Sequence, residues 1–338
     1  MKILLLAGGD SSEREVSIAS GEAIYNGLVR LGHKVFAVDP STGKALVGGD
    51  GKYLPLDEIS KSAGSSKRTD IRTVVTTISS PGFDDIDVVF IAMHGGMGEN
   101  GTIQSLLEIL GKKYTGCNMV SSALAMDKAL AKRLFHAEDI PTPHWSEYRL
   151  PPGGLDLSVH HNIITRHRFP IIVKPNDGGS TIGLSIVREE SQLSAALDKA
   201  FEESNHILVE DFIEGREMTV SVLDGKPLPV VEIIPTNELY DYEAKYTKGK
   251  SKYVAPAEIS DEATRALQDA AARAYHALDA VGLCRIDFIL TEKDEIYCLE
   301  VNTIPGMTDL SLSPMAAYAA GMTFEDLLEA MTQAALNS

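Results

Sequence analysis

Two carboxylates, an amide and a guanidinium are spaced for metal and phosphate chemistry within residues 283–313, LCRIDFILTEKDEIYCLEVNTIPGMTDLSLS. Read with period two, Arg285 and Asp287 share one face of a strand, and Glu300 and Asn302 share one face of the next. The polar turn 291–295 between them makes the pair a β-hairpin. If the two faces coincide, three oxygen donors and one guanidinium converge. Such oxygens suit a hard cation such as Mg2+, which takes one or two carboxylates and leaves phosphate oxygens to complete its shell. An Arg beside it is placed to stabilise charge on a transferring phosphoryl group. A solvated hairpin face with one ion pair is the alternative on this stretch alone. The same reading puts Cys298 on the face of Glu300 and Asn302, with Leu299 and Val301 opposite. After the acidic strand, the Pro305-Gly306 turn offers a backbone N–H to a ligand.

A second stretch suits phosphate. Lys174 ends a short strand, and Asn176-Asp177-Gly178-Gly179-Ser180-Thr181-Ile182-Gly183 follows. Three glycines and two hydroxyls let backbone N–H groups approach a phosphate closely. An ordinary glycine-rich turn is the alternative. It is not a Walker A loop: the nearest candidate, Gly249-Lys250-Ser251, has Ala244 where the first Gly belongs. Residues 96–101, GMGENG, match the G-x-G-x-x-G of dinucleotide sites. The strand before them is not the first of its unit, and Val120 and Ser121 stand where a ribose-binding acid belongs, so no nicotinamide site is assigned. Glu13 stands at the start of the first helix, where it complements the dipole or meets a ligand.

The elements that must position these groups are legible. Residues 2–7 form a buried strand, a helix runs to about Leu31 with Ser12 and Glu15 as a capping box, and residues 35–38 form the next strand. This β-α-β start means a parallel sheet. Residues 41–82 read as irregular connection with one or two short elements, and residues 87–93 as a buried strand. One helix spans 121–137, a strand spans 207–213, and an amphipathic helix spans 262–280. Residues 323–326 cap a last helix, and 240–253 form a loop rich in Tyr and Lys, either an adhesive surface or a lid.

A chain of 338 residues is too long for one ordinary core. The net charge of −17, from 48 acids against 31 bases, argues against nucleic acid and anionic membrane as partners. Cys117, Cys284 and Cys298 form no CxxC pair and read as reduced, buried thiols, which points to the cytoplasm. The apolar run at residues 2–7 is too short for a signal peptide, and no run approaches a membrane span.

The string R-x-D, then L-E-x-N-x-x-P-G-M-T resembles the metal-binding end of ATP-grasp ligases, and the whole of RIDF…CLEVNTIPGMTDLSLSPMAA resembles the D-alanine–D-alanine ligase family. GGxSxEREVS at the first helix, H-G-x-x-G-E-x-G from His94, and Met126-Asp127-Lys128 extend the likeness along the chain. It implies an α/β ATP-grasp fold of three units: an N-terminal parallel-sheet domain over 1–120, and two α+β units, 121–207 and 208–338, sandwiching ATP. It implies ATP-dependent joining of two D-alanines through an acyl phosphate for peptidoglycan precursors, a D-alanine–D-lactate or other carboxylate–amine ligase being the alternative. Asp287, Glu300 and Asn302 would hold two Mg2+, or Mn2+, and Arg285 with the N–H of Gly306 would stabilise the oxyanion. Lys128, Lys174 and Lys245 would meet the ATP phosphates, and Glu217 the ribose. Glu210, Asp211, Phe212 and Ile213 would form the adenine-binding strand. Glu13 would contact the ammonium of the first D-alanine and Ser180, and His94 a substrate carboxylate or simply the strand end. Ser311 and Leu312 would meet the second carboxylate, and Tyr246 would close the second pocket in favour of D-alanine over D-lactate. In the loop from His94, Asn100 replaces the second acid of the pair usual in the family, a departure that weakens any role assigned to that position. A homodimer is usual in the family. No side chain reads as the base for the second amine.

Overall fold

The computed structural model describes residues 1–62, 69–150, 157–235, 251–308 and 310–337, with only the backbone of residues 61, 62 and 157. Strand β1 (Lys2–Leu6) lies between β2 (Lys34–Asp39) and β4 (Val88–Ile91), parallel to both, and β3 (Lys44–Ala45) borders β2. Covered on both faces, β1 buries Ile3 to Leu6 without alternation, as a parallel strand must. The helix Arg14–Arg30 joins β1 to β2. The expected Ser12–Glu15 capping box does not form: Glu13 is the N-cap and makes no side-chain cap bond. Ser11 takes the serine role instead, its Oγ accepting from Glu13 N at 3.2 Å and donating to His94 O at 2.5 Å. The helix start is thus fastened to the loop after β4. Among the described residues, four short elements start within 41–82, including the helices Leu56–Ser62 and Ile71–Ile78, where one or two were expected.

The second sheet is antiparallel, in the order β5 (Trp145–Arg149), β8 (His206–Asp211), β6 (Ile171–Pro175), β7 (Ser185–Val187). The helix expected over 121–137 is two helices, Met119–Met126 and Lys128–Ala137. Asp127 breaks it: its backbone is extended, with ψ 95°, and its Oδ1 accepts from Leu130 N at 3.0 Å. An Asp that caps the following turn competes with its own place inside a helix. Lys128 therefore opens the second helix, with its N–H on Asn176 O at 3.2 Å.

The third sheet runs β12 (Ser251–Val254), β11 (Val231–Pro235), β9 (Arg216–Leu223), β13 (Leu283–Leu290), β14 (Ile296–Asn302), with β10 (Lys226–Pro227) on β9. The helix Asp261–Ala277 turns Leu267, Ala271 and Ala274 onto this sheet's core face. Arg285 pairs with Asn302 and Asp287 with Glu300, so the two polar faces coincide. Beyond Asp287 the register shifts, and Phe288 pairs with Cys298. Leu299 is the extra residue of a β-bulge. This corrects the placing of Cys298: it is buried in the core with Val301, on the face opposite Glu300. A bulge breaks the period of two, which simple alternation cannot register. The last helix, Phe324–Asn337, is capped by reciprocal bonds between Thr323 and Asp326 and packs on the helix Arg14–Arg30, where Arg30 Nε meets Glu325 at 2.6 Å.

Candidate active site

Two cavities meet in the cleft. One, of about 280 Å³, lies between the second and third sheets, with Ile172, Phe212 and Ile213 on one wall and Met218, Phe288 and Leu299 on the other. The other, of about 460 Å³, is lined by Glu13, His94, Arg285, Asn302, Gly306 and Ser311. Lys128, Gly178, Gly179, Ser180 and Glu300 line both. A mostly apolar slot therefore opens into a more polar chamber through one junction of lysine, glycine-rich loop and carboxylate. The bulge has a function here, since it turns Leu299 as well as Glu300 to the slot.

At the junction the loop between β6 and β7 is strained. Ser180 and Thr181 hold φ of 52° and 64°, rare for residues with a Cβ and typical of ligand loops. Ser180 Oγ donates to Glu13 Oε1. A Cβ on Gly179 would stand 2.8 Å from Glu13 Oε2, so glycine lets the loop close onto that carboxylate. Lys128 is buried, with Nζ donating to Gly178 O at 2.8 Å and lying 3.3 Å from Glu300 Oε2. It is not the solvated lysine that a helix position usually carries.

Arg285 grips Asp287 in a fork, Nε to Oδ1 at 2.9 Å and Nη2 to Oδ2 at 2.8 Å, and Thr219 Oγ1 donates to Oδ1 at 2.7 Å. Asn302 Oδ1 accepts from Ile304 N at 3.0 Å. A carboxylate has about four lone-pair sites and an amide oxygen two, so each keeps capacity for a cation. The donor set is all oxygen with two acids, which fits Mg2+ or Mn2+.

Deep in the slot, Glu210 is buried between two lysines, Lys174 at 2.9 Å and Lys132 at 3.1 Å, the latter an ion pair outside hydrogen-bond geometry. Burial acts to raise the Glu210 pKa, but Lys132 and Lys174 together hold it below the usual carboxylate range. Lys132 is fully buried and donates to Thr142 Oγ1 at 2.6 Å. Burial pushes its pKa down to about 8 against the pull of Glu210. The sequence reading missed Lys132, although it stands one helical turn past Lys128 on the same face. Glu217 on β9 also lines the slot. β8 ends at Asp211; Phe212 and Ile213 follow it and line the slot, with Phe212 N donating to Pro170 O at 3.4 Å. The Asp211 side chain turns instead to His167, at 2.7 Å.

In the polar chamber His94 is buried, with Nε2 3.1 Å from Ser20 Oγ and Nδ1 3.7 Å from Glu99 Oε1. Glu99, which the sequence reading left without a role, is buried on the chamber wall, and burial raises its pKa. Ser311 Oγ accepts from Thr308 N at 2.9 Å and stands 2.8 Å from where a Cβ on Gly306 would be. Leu312 forms buried wall beside it. Lys245 and Tyr246 lie outside the described residues.

Comparison with known proteins adds to this geometry. Residues 2–117 match the family model for the D-ala D-ala ligase N-terminus, and residues 134–333 that for the D-ala D-ala ligase C-terminus. A D-alanine–D-alanine ligase of Syntrophotalea carbinolica is 40% identical over 328 residues, covering 97% of this chain and 94% of its own. One of Gloeobacter violaceus is 40% identical over 338 residues, covering all of both. The solved structure of the Bacillus anthracis D-alanine–D-alanine ligase complexed with ATP matches with a TM-score of 0.77 at 30% identity, covering 100% of this chain and 97% of that one.

Proposed function

The chain belongs to the D-alanine–D-alanine ligase family, and from that membership we propose how its own residues carry out the ATP-dependent ligation of two D-alanines for peptidoglycan synthesis. The observation that carries the reading is the junction, where Lys128, Gly178 to Ser180 and Glu300 line both cavities. It supports one place where a nucleotide phosphate and an amino-acid carboxylate meet. Adenine lies in the slot against Phe212 and Ile213, on the backbone that runs on from Glu210 and Asp211, and Glu217 takes the ribose. Lys132 and Lys174 fix Glu210 and so the end of β8. Gly178 to Thr181 cover the phosphates, with Lys128, Lys174 and Lys245 as cations.

Glu13 holds the ammonium of the first D-alanine, and His94 lies beside that substrate. The carboxylate oxygen attacks the γ-phosphoryl group in line, giving an acyl phosphate and ADP. Phosphorylation makes the carboxylate oxygen a better leaving group. The amine of the second D-alanine, whose carboxylate meets Ser311 and Leu312, then attacks the acyl carbon and expels phosphate. Arg285 and the N–H of Gly306 stabilise the oxyanion of that step. Asp287, Glu300 and Asn302 would hold two Mg2+, or Mn2+, whose bound charge neutralises the phosphate oxygens. Tyr246 closes the second pocket for D-alanine. The same reading takes units at 1–120, 121–207 and 208–338, a homodimer, and a cytoplasmic enzyme with no nucleic-acid or membrane partner. No helix among the described residues is long and apolar enough to cross a membrane.

The test is phosphate release from Mg·ATP with D-alanine, D-lactate or L-alanine, with the product weighed by mass spectrometry. Release requiring D-alanine, with the mass of D-alanyl-D-alanine, is expected. Release that requires D-lactate as second substrate would keep the ligase and remove the Tyr246 assignment. No release with any acceptor would overturn the reading.

A further inference from the structure

We propose that His144, His167 and Asp211 form a binding site for a zinc-type divalent cation at the outer edge of the second sheet, separate from the all-oxygen site in the cleft. Among the described residues this is the one group of three His, Cys, Asp or Glu whose ligand atoms all lie within 4.8 Å of one another. His167 Nδ1 is 2.7 Å from Asp211 Oδ1, and His144 Nδ1 is 3.7 Å from Asp211 Oδ2. Donors around a tetrahedral ion with bonds of about 2.0–2.2 Å stand about 3.4 Å apart, so small side-chain shifts of both kinds suffice. Two imidazoles and one carboxylate select Zn2+ and its neighbours over Mg2+, which prefers oxygen alone.

The backbone holds these donors in place. Asp211 N donates to His144 O at 2.9 Å, just where β5 and β8 begin to pair, so the two residues stand side by side. The imidazoles of His144 and His167 lie 5.0 Å apart, centroid to centroid. His167 is buried, and its Nε2 is 2.9 Å from Ser146 Oγ. A ligand histidine uses its second nitrogen as a donor to a fixed partner, which sets the tautomer. Ser146 is placed to be that partner: in the structure Nδ1 of His167 donates to Asp211 Oδ1 at 2.7 Å, and a bound ion takes the place of that proton while Nε2 donates to Ser146 Oγ. The side chain of His144 is 60% exposed, which gives an ion a way in and room for a water as fourth ligand. The nucleotide site does not use the Asp211 carboxylate, only its backbone. Phe212 and Ile213 follow directly, so an ion at this site fastens the strand end that leads into the nucleotide slot. The three donors and their geometry do not depend on the ligase reading.

The test is a Zn2+ titration of the full-length protein, freed of metal with EDTA and dialysed, against a chromophoric chelator, with Mg2+ in excess to fill the all-oxygen site. The wild type is expected to take one tight equivalent. Loss of an outer partner costs about 10–100-fold in affinity, so Ser146→Ala should fall in that range and His144→Ala, which removes a ligand, beyond it. Both variants should keep the wild-type circular dichroism spectrum. Co2+ on the wild type should give the visible absorption of tetrahedral coordination with nitrogen ligands. Equal affinity and stoichiometry in His144→Ala and wild type would overturn the site. So would a wild type that fails to compete with the chelator, or that gives no nitrogen-ligand absorption with Co2+.

Discussion

The hydroxyl of Ser180 donates to the carboxylate of Glu13, from a residue 167 positions away in the chain. The bond joins the tip of the glycine-rich loop to the start of the first helix, and so closes the loop that lines both cavities onto the wall of the larger one. It is made from a left-handed backbone, with φ of 52° at Ser180. Removing it with Ser180→Ala deprives the loop of a charge-assisted bond worth about 1.5–3 kcal/mol. We expect kcat/KM for D-alanine to fall about 10–100-fold, with a smaller change in ATP affinity. Steady-state kinetics that match the wild type would remove this bond from the account.

Arg285 faces the chamber while gripping Asp287. In the proposed mechanism its charge acts when the oxyanion forms, not when ATP binds. Arg285→Ala should lower kcat by about 10²–10³ and leave nucleotide affinity, measured by calorimetry, within a few-fold. A near-normal kcat would take Arg285 out of the chemistry.

Glu300 is the acid that faces both cavities, and Lys128 stands 3.3 Å from it. Glu300→Gln keeps the shape and removes the charge that a hard cation needs. The Mg2+ concentration for half-maximal rate should rise about 10-fold or more. An unchanged Mg2+ titration contradicts the assignment.

Lys132 carries a pH dependence of stability. Its folded pKa is near 8, and an unfolded lysine titrates near 10.4. Between those values the unfolded chain holds one more proton at this group than the folded one. Stability from this group therefore rises with pH across the window, by about 1.4 kcal/mol per unit. Below pH 8 both states hold the proton and the slope vanishes. Urea unfolding of wild type and Lys132→Met between pH 8 and 9.5 should show the wild-type slope as the more positive. Parallel slopes would mean that Lys132 is not depressed.

Much of this site was legible in the sequence, because period two and turn chemistry act locally. Arg285, Asp287, Glu300 and Asn302 were grouped from spacing, and their shared face follows from the observed register. The misplaced Cys298 shows the limit: one bulge at Leu299 inverts every assignment beyond it. The break at Asp127 was hidden because the apolar pattern continues through it, while its cause is a cap bond. Lys132 was passed over because a lysine on an apolar helix is ordinarily exposed. Its burial depends on Glu210, 78 positions on, and no local pattern carries that pairing. The Ser12–Glu15 box failed for a similar reason, since Ser11 answers to His94 across the sheet.

In the proposed mechanism a D-alanine carboxylate attacks the γ-phosphoryl group at the junction of the two cavities. D-alanine labelled with 18O in its carboxylate tests it directly. The released phosphate is expected to carry one labelled oxygen per dipeptide formed, because that oxygen leaves with the phosphoryl group. Unlabelled phosphate, with both labels kept by the amino acid, would mean that water attacks ATP and that no acyl phosphate forms.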